Sequence, residues 1–233
     1  MKEYLKKSFE RSLMEKKEYQ LHEITVYILQ SLPEHIDVNR VLSRVKDLIP
    51  YELMKELDGI YVGDFPRLKD RNIQAMLKDN VIYLSSYKEI PDITEESIVN
   101  DIVHECGHLL EDRLHYDIYE DKSIENEYVG KKKRLVGLLR AGGVSFHGMG
   151  KLFFSSDMVD ELDNFLFNEL GYDNIIGLST GLFSSPYSIT SIREYFANGF
   201  QEYINGDRNY LKEISPNLYN RIHNLMEEHY DKF

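Results

Sequence analysis

His104-Glu105-Cys106-Gly107-His108 carries the pattern HExxH. Two imidazoles four residues apart fall on one face of an α-helix, close enough to grip a single metal ion. The glutamate between them sits one position along, within reach of a metal-bound water. That is the chemistry of zinc-assisted hydrolysis: neutral nitrogen ligands, an open coordination position and a general base beside it. The plain alternative is a solvated helix face that happens to hold two histidines. The flanking sequence favours the metal. Thr94 stands as a cap ahead of Glu95 and Glu96, acidic residues of a first turn. Beyond it Ile98, Val99, Ile102, Val103, Cys106, Leu109 and Leu110 recur at helical spacing as an apolar stripe. Asp101, His104, Glu105, His108, Asp112 and His115 share the other side.

A third ligand has to come from elsewhere. The longer pattern HExxHxxGxxH would need Gly at 111 and His at 114, where the chain has Glu111 and Leu114, and His115 is one residue out of register. Glu194 is the better candidate. Ser185 reads as a helix cap and Pro186 as the first helical position, with a stop at Asn205-Gly206. Within that segment Glu194 is flanked by Tyr195, Phe196, Ala197, Phe200, Tyr203 and Ile204. A carboxylate in so apolar a helix needs a partner, and a metal ion is a strong one. An ion pair with Arg193 or a lysine at the helix edge is the alternative.

The HECGH helix followed by Tyr187-x6-Glu194-Tyr-Phe-Ala-x-x-Phe200 resembles the anthrax-lethal-factor-like zincins, a family that includes secreted proline-specific bacterial endopeptidases. The resemblance implies one Zn²⁺ per chain held by His104, His108 and Glu194. It also implies Glu105 as the base that activates water and Tyr187 as donor to the oxyanion. With one helix running from Ser185, two turns would separate Tyr187 from Glu194 and keep them on one side. An ordinary core tyrosine is the alternative in a chain holding 17 of them. Asn198 departs from the family, which commonly has an acidic residue there. The two ligand helices are also further apart in sequence than in its short members. The resemblance covers roughly residues 80–210 and is strongest at the two helices. The phage-repressor-cleaving zincins are similar in part but do not call for Tyr187. The Tyr-x6-Glu-Tyr-Phe-Ala layout also resembles uncharacterised bacteriophage proteins.

The elements that must position these groups read as α+β, mostly helical with a small sheet. Residues 58–64 and 80–86 are strands, each a β-branched and aromatic run between turn residues. In zincins the strand before the motif helix is a sheet edge that takes extended substrate, and Val81 to Ser85 fits that place or an ordinary structural strand. Residues 1–57 read as a charged helical segment, with Glu18 to Leu32 and Val38 to Leu48 as its amphipathic helices and Pro33 and Pro50 as punctuation. They would form a cap on the catalytic domain at 58–233, or an arm for docking to an assembly partner. Between the ligands, about 116–183 reads as a helical insertion. It has a helix over 123–140 with Lys131 to Arg134 exposed, another over 157–169, and between them a glycine-rich loop at 141–151. That loop fits a lid or a plain connector, and its His147 a substrate contact or a solvated histidine. Gly150-Lys151 fails as a phosphate loop because positions 145 and 152 are Ser and Leu.

At 233 residues the chain can bury a good core, and its net charge of −12 argues against nucleic acid as a partner. Neither a signal peptide nor an apolar run of about 18 residues is present, which reads as a cytoplasmic or virion-associated protein away from membranes. The single cysteine, Cys106, excludes an internal disulfide and falls on the helix side opposite the histidines, where it reads as buried and apolar. The expectation is a gluzincin-like zinc metalloendopeptidase acting on a peptide or protein. The rival expectation is a catalytically silent zincin-fold structural or interaction protein in a larger assembly such as a phage particle, holding zinc as a staple or not hydrolysing at all; a structural zinc would be closed off by a fourth ligand such as Asp112 or His147. A repressor-cleaving zincin is a further alternative.

Overall fold

Three short runs of alternating buried and half-buried residues, β2 (Ile24–Ile28), β3 (Gly59–Val62) and β5 (Val81–Leu84), form the parallel centre of a five-stranded sheet. They belong to a computed structural model that describes residues 16–71, 73–146 and 149–230, with backbone alone for Tyr172, Asp173, His229 and Tyr230. The protein is α+β, and the chain divides into two compact units after Leu109.

In the first unit the strand order is β1-β2-β3-β5-β4, with β1 (Lys17–Leu21) antiparallel to β2 and β4 (Ala75–Lys78) antiparallel to β5. This corrects the helical reading of residues 18–32. Leu21, Ile24 and Ile28 fit helical spacing, but Ile24, Val26 and Ile28 also alternate, and in the sheet all three are buried. The hairpin turns at His22, whose φ is 53°, with no glycine to announce it. Residues 17–28 are therefore strands of the sheet and not a helical arm, Val38–Leu48 is the helix expected, and residues 1–15 of that reading lie outside the described residues. Strand β5 is likewise interior, and the edge on its side of the sheet is β4. A two-residue turn at Asp79 and Asn80, both at positive φ (50° and 57°), folds β4 back onto β5.

Pairing divides the sheet by face. Tyr27, Tyr61 and Tyr83 stand opposite one another on β2, β3 and β5, with rings stacked at 4.8 and 5.9 Å. On the opposite face Val26, Ile28, Ile60, Val62 and Leu84 meet α1 (Val38–Leu48) through Val38, Val41 and Leu42, and the later helix at Glu95–Tyr119 through Ile98 and Ile102. The short helices α2 (Tyr51–Met54) and α3 (Pro66–Arg71) lie in the connections. Helix α4 (Glu95–Tyr119) starts where expected, with Thr94 Oγ1 accepting the Ser97 N–H at 3.1 Å. All seven residues of its apolar stripe are 2% exposed or less.

Beyond Leu109, α4 continues to Tyr119 with a break in helical geometry at Leu114. Then come α5 (Ser123–Ala141), α6 (Asp160–Asn164, continuing as a π-turn to Leu170), α7 (Tyr172–Ser179), α8 (Ile192–Asn205), α9 (Arg208–Ile214) and α10 (Pro216–Tyr230). Glu127 on α5 stitches three helices. It accepts the Tyr195 hydroxyl of α8 at 2.8 Å and the Asn217 N–H at 2.9 Å, a carboxylate at the N-terminus of α10. The exposed reading of Lys131 and Lys132 is corrected: they are 6% and 0% exposed. Both lie on the face that carries Tyr128 and Leu135. Lys131 Nζ sits 4.8 Å from the Tyr195 ring centre and donates to Ser215 Oγ, and Lys132 Nζ sits 4.8 Å from that of Tyr128 and donates to Ser155 O. Burial pulls both ammonium groups down to about 7. Among the described residues no helix is long and apolar enough to cross a membrane.

Candidate metal centre

Helix α4 sets the first part of the site. His104 and His108, one turn apart, hold their rings 4.8 Å centre to centre and nearly perpendicular, at 89°. The polar side of the helix is not solvated here: His104 is half-buried, and Glu105 and His108 are each 6% exposed. Cys106 points into the core, where burial pushes its thiol far up, so it is a packing residue as expected.

Glu194 lies in the first turn of α8 and is 9% exposed. The helix begins at Ser191, whose Oγ accepts the Glu194 N–H at 3.1 Å. His104, His108 and Glu194 each offer one ligand atom, and these atoms lie within 4.8 Å of one another. Donors about 2.0–2.2 Å from a shared tetrahedral ion stand roughly 3.4 Å apart, the scale of this spacing. Two imidazoles and a carboxylate, largely screened from water, are also the donor set of a catalytic zinc site with a position left open. The group fits a metal ion.

The neighbours have separate duties. Arg193 is directed not at Glu194 but at Asp112: Nη2 donates to Asp112 Oδ2 at 2.9 Å, Nη1 donates to Oδ1, and Nη1 lies 3.3 Å from Glu111 Oε2. Asp112, one of the two residues that could have closed the metal site, is thus bound in a forked ion pair. The other, His147, lies outside the described residues. Asn198 donates to the Glu194 carbonyl at 2.8 Å, a bond within its own helix. His115 is exposed at the end of α4.

Two contacts went unread in the sequence. The backbone N–H of Leu77, on the edge strand β4, donates to Glu105 Oε2 at 2.6 Å. The Tyr87 hydroxyl donates to Asp101 Oδ2, also at 2.6 Å. Burial pushes the Asp101 carboxyl up to about 6, against the Tyr87 hydrogen bond and the neighbouring His104, which draw it down. Asp101 was legible as a polar residue one turn before His104; Tyr87 and Leu77 had no local signal.

Tyr187 is not on the helix of Glu194. Pro186–Ile189 is a separate 3-10 turn capped by Ser185, whose Oγ accepts the Tyr187 N–H at 3.2 Å, and the chain restarts as α8 after Ser191. The single helix from Ser185 is therefore corrected, because a second N-cap intervenes. Gly206 ends α8 as expected, but at φ −110° and so without a left-handed turn. Tyr187 itself is half-buried. The chain matches no family model, no curated protein and no solved structure.

Proposed function

We propose that the protein is a zinc-dependent metallopeptidase of the zincin type, similar to the anthrax-lethal-factor-like group. The observation that carries this is the gathering of the His104, His108 and Glu194 donors around the helix that also bears a buried Glu105. These three side chains would hold Zn²⁺, which when bound supplies a Lewis acid for the peptide carbonyl and acidifies water.

The protein's own groups then divide the work. Glu105 takes the proton from the attacking water and returns it to the leaving amine. With Oε2 held by Leu77 N–H, Oε1 is the oxygen that exchanges the proton, and the base keeps one orientation. Since that N–H points away from the β5 ladder, the Leu77 carbonyl and both backbone groups of its alternate Ala75 also face outward. An extended peptide would add to this edge and lie alongside the base. Tyr187 is the proposed donor to the oxyanion.

A structural zinc site would be closed by a fourth ligand, and the forked pair between Arg193 and Asp112 disfavours closure by Asp112. Cleavage of a peptide library, read by mass spectrometry, tests the proposal against Glu105→Ala. The variant should retain zinc and lose cleavage by at least about 100-fold; equal cleavage by both proteins would end the mechanism.

A further inference from the structure

A ligand histidine places one ring nitrogen on the metal and donates the other N–H to a carboxylate, a carbonyl or water, which fixes its tautomer and its angle. Asp101 stands one turn before His104 on the same side of α4, and side chains three apart on a helix are neighbours. It is not a loose surface carboxylate. Tyr87, 2% exposed, donates its hydroxyl to Asp101 Oδ2 at 2.6 Å. This engages one carboxylate oxygen and leaves Oδ1 for a second donor. Tyr87 reaches this position from the loop after β5 with φ at 56°, in the left-handed region that aromatic residues rarely adopt. Such a conformation persists only where its surroundings over-determine it. Here Ser85 Oγ accepts the Tyr87 N–H at 3.2 Å, and the Tyr87 carbonyl accepts the Ile90 N–H at 3.2 Å. With the backbone held so, the phenol rests on Asp101.

We propose that Asp101, locked in place by Tyr87, is the positioning residue of His104, accepting the ring N–H opposite the metal-binding nitrogen and so presetting the ring before an ion arrives. This rests on the metal reading above for its purpose, though not for its first test. Of the other features, the paired buried lysines are sealed from solvent, and the cavity beside Asp64 and Ser86 carries no set of groups that selects one ligand.

The test uses ¹⁵N-labelled full-length protein without metal, at a pH where imidazole is neutral, with the His104 ring assigned by its loss in His104→Asn. Wild type should show one His104 tautomer. Asp101→Ala should show a mixture, Asp101→Glu should restore the single form, and Tyr87→Phe should shift the balance in the same direction as Asp101→Ala but less. Zinc affinity, measured by competition with a chromophoric chelator, should fall about 10- to 100-fold in Asp101→Ala and recover in Asp101→Glu. An unchanged tautomer in a folded Asp101→Ala protein overturns the inference. So does unchanged zinc affinity. Should Asp101→Ala not fold, an unchanged ring spectrum in Tyr87→Phe overturns it instead. Wild type that binds no zinc but shows the tautomer change would sink the metallopeptidase reading while leaving the positioning of His104 standing.

Discussion

Replacing Lys132 with Met should make the protein more stable in mild acid and less so in mild base. Lys132 is fully buried, its Nζ 2.9 Å from Ser155 O and 3.1 Å from Tyr128 Oη, with the Tyr128 and Phe153 rings at 4.8 and 5.6 Å. Burial pulls its ammonium from 10.5 down to about 7. Between those values the unfolded chain holds a proton that the native protein has released, so stability rises with pH through this window and is lost as pH falls toward 7. At about 1.4 kcal/mol for each pH unit of that window, one such lysine changes stability by up to about 4 kcal/mol between pH 6 and pH 10. Met has similar length and does not ionise, so the variant escapes this dependence. In exchange it gives up the two hydrogen bonds, worth about 1 kcal/mol each. The variant should therefore lead at pH 6 and trail at pH 10, as measured by urea unfolding midpoints at several pH values. Lys131, also drawn to about 7, leaves a similar slope behind in the variant. Above pH 10 the buried Tyr128 phenol, pushed up by desolvation, works in the opposite direction and bounds the window. A variant less stable than wild type by the same margin at every pH would refute the reasoning and mean that Lys132 stays charged in the fold.

Two further substitutions probe the chemistry. Tyr187→Phe should lower kcat with little change in KM or zinc content, and an unchanged rate would return Tyr187 to an ordinary packing role. Leu77→Pro removes the N–H that holds Glu105; because that N–H faces away from the ladder, proline is tolerable at this edge. The variant should fold and bind zinc while turning over on the order of 10- to 100-fold more slowly, since its base loses its orientation. Full activity in Leu77→Pro would show that the contact is incidental.

What could be read in advance follows from how local each signal is. The α4 stripe from Ile98 to Leu110, the Thr94 cap and the bounds of α1 all repeat within a few residues, and they match the structure. Glu194 stood out because a carboxylate among Tyr195, Phe196 and Phe200 is costly without a partner. The β1–β2 hairpin was hidden because its apolar residues satisfy two periods at once, and only pairing with β3 selects between them. Strand β4 was missed because Ala75 to Lys78 is short, yet the Asp79-Asn80 pair that turns it is a recognisable hairpin signal. The restart at α8 had a local sign too: Ser191 and Glu194 have capping-box spacing. The Tyr87–Asp101 and Leu77–Glu105 contacts depend on where the sheet places its loops and edge, and no local pattern encodes that.

A metal held by residues from two separate stretches of sequence is what the proposed chemistry depends on. Zinc per chain, determined by elemental analysis of wild type and of Glu194→Ala after equilibration with zinc and removal of excess, tests it most directly. One zinc in wild type and a large loss in the variant is the predicted result. No zinc in wild type, or one retained undiminished in Glu194→Ala, would contradict the three-ligand site.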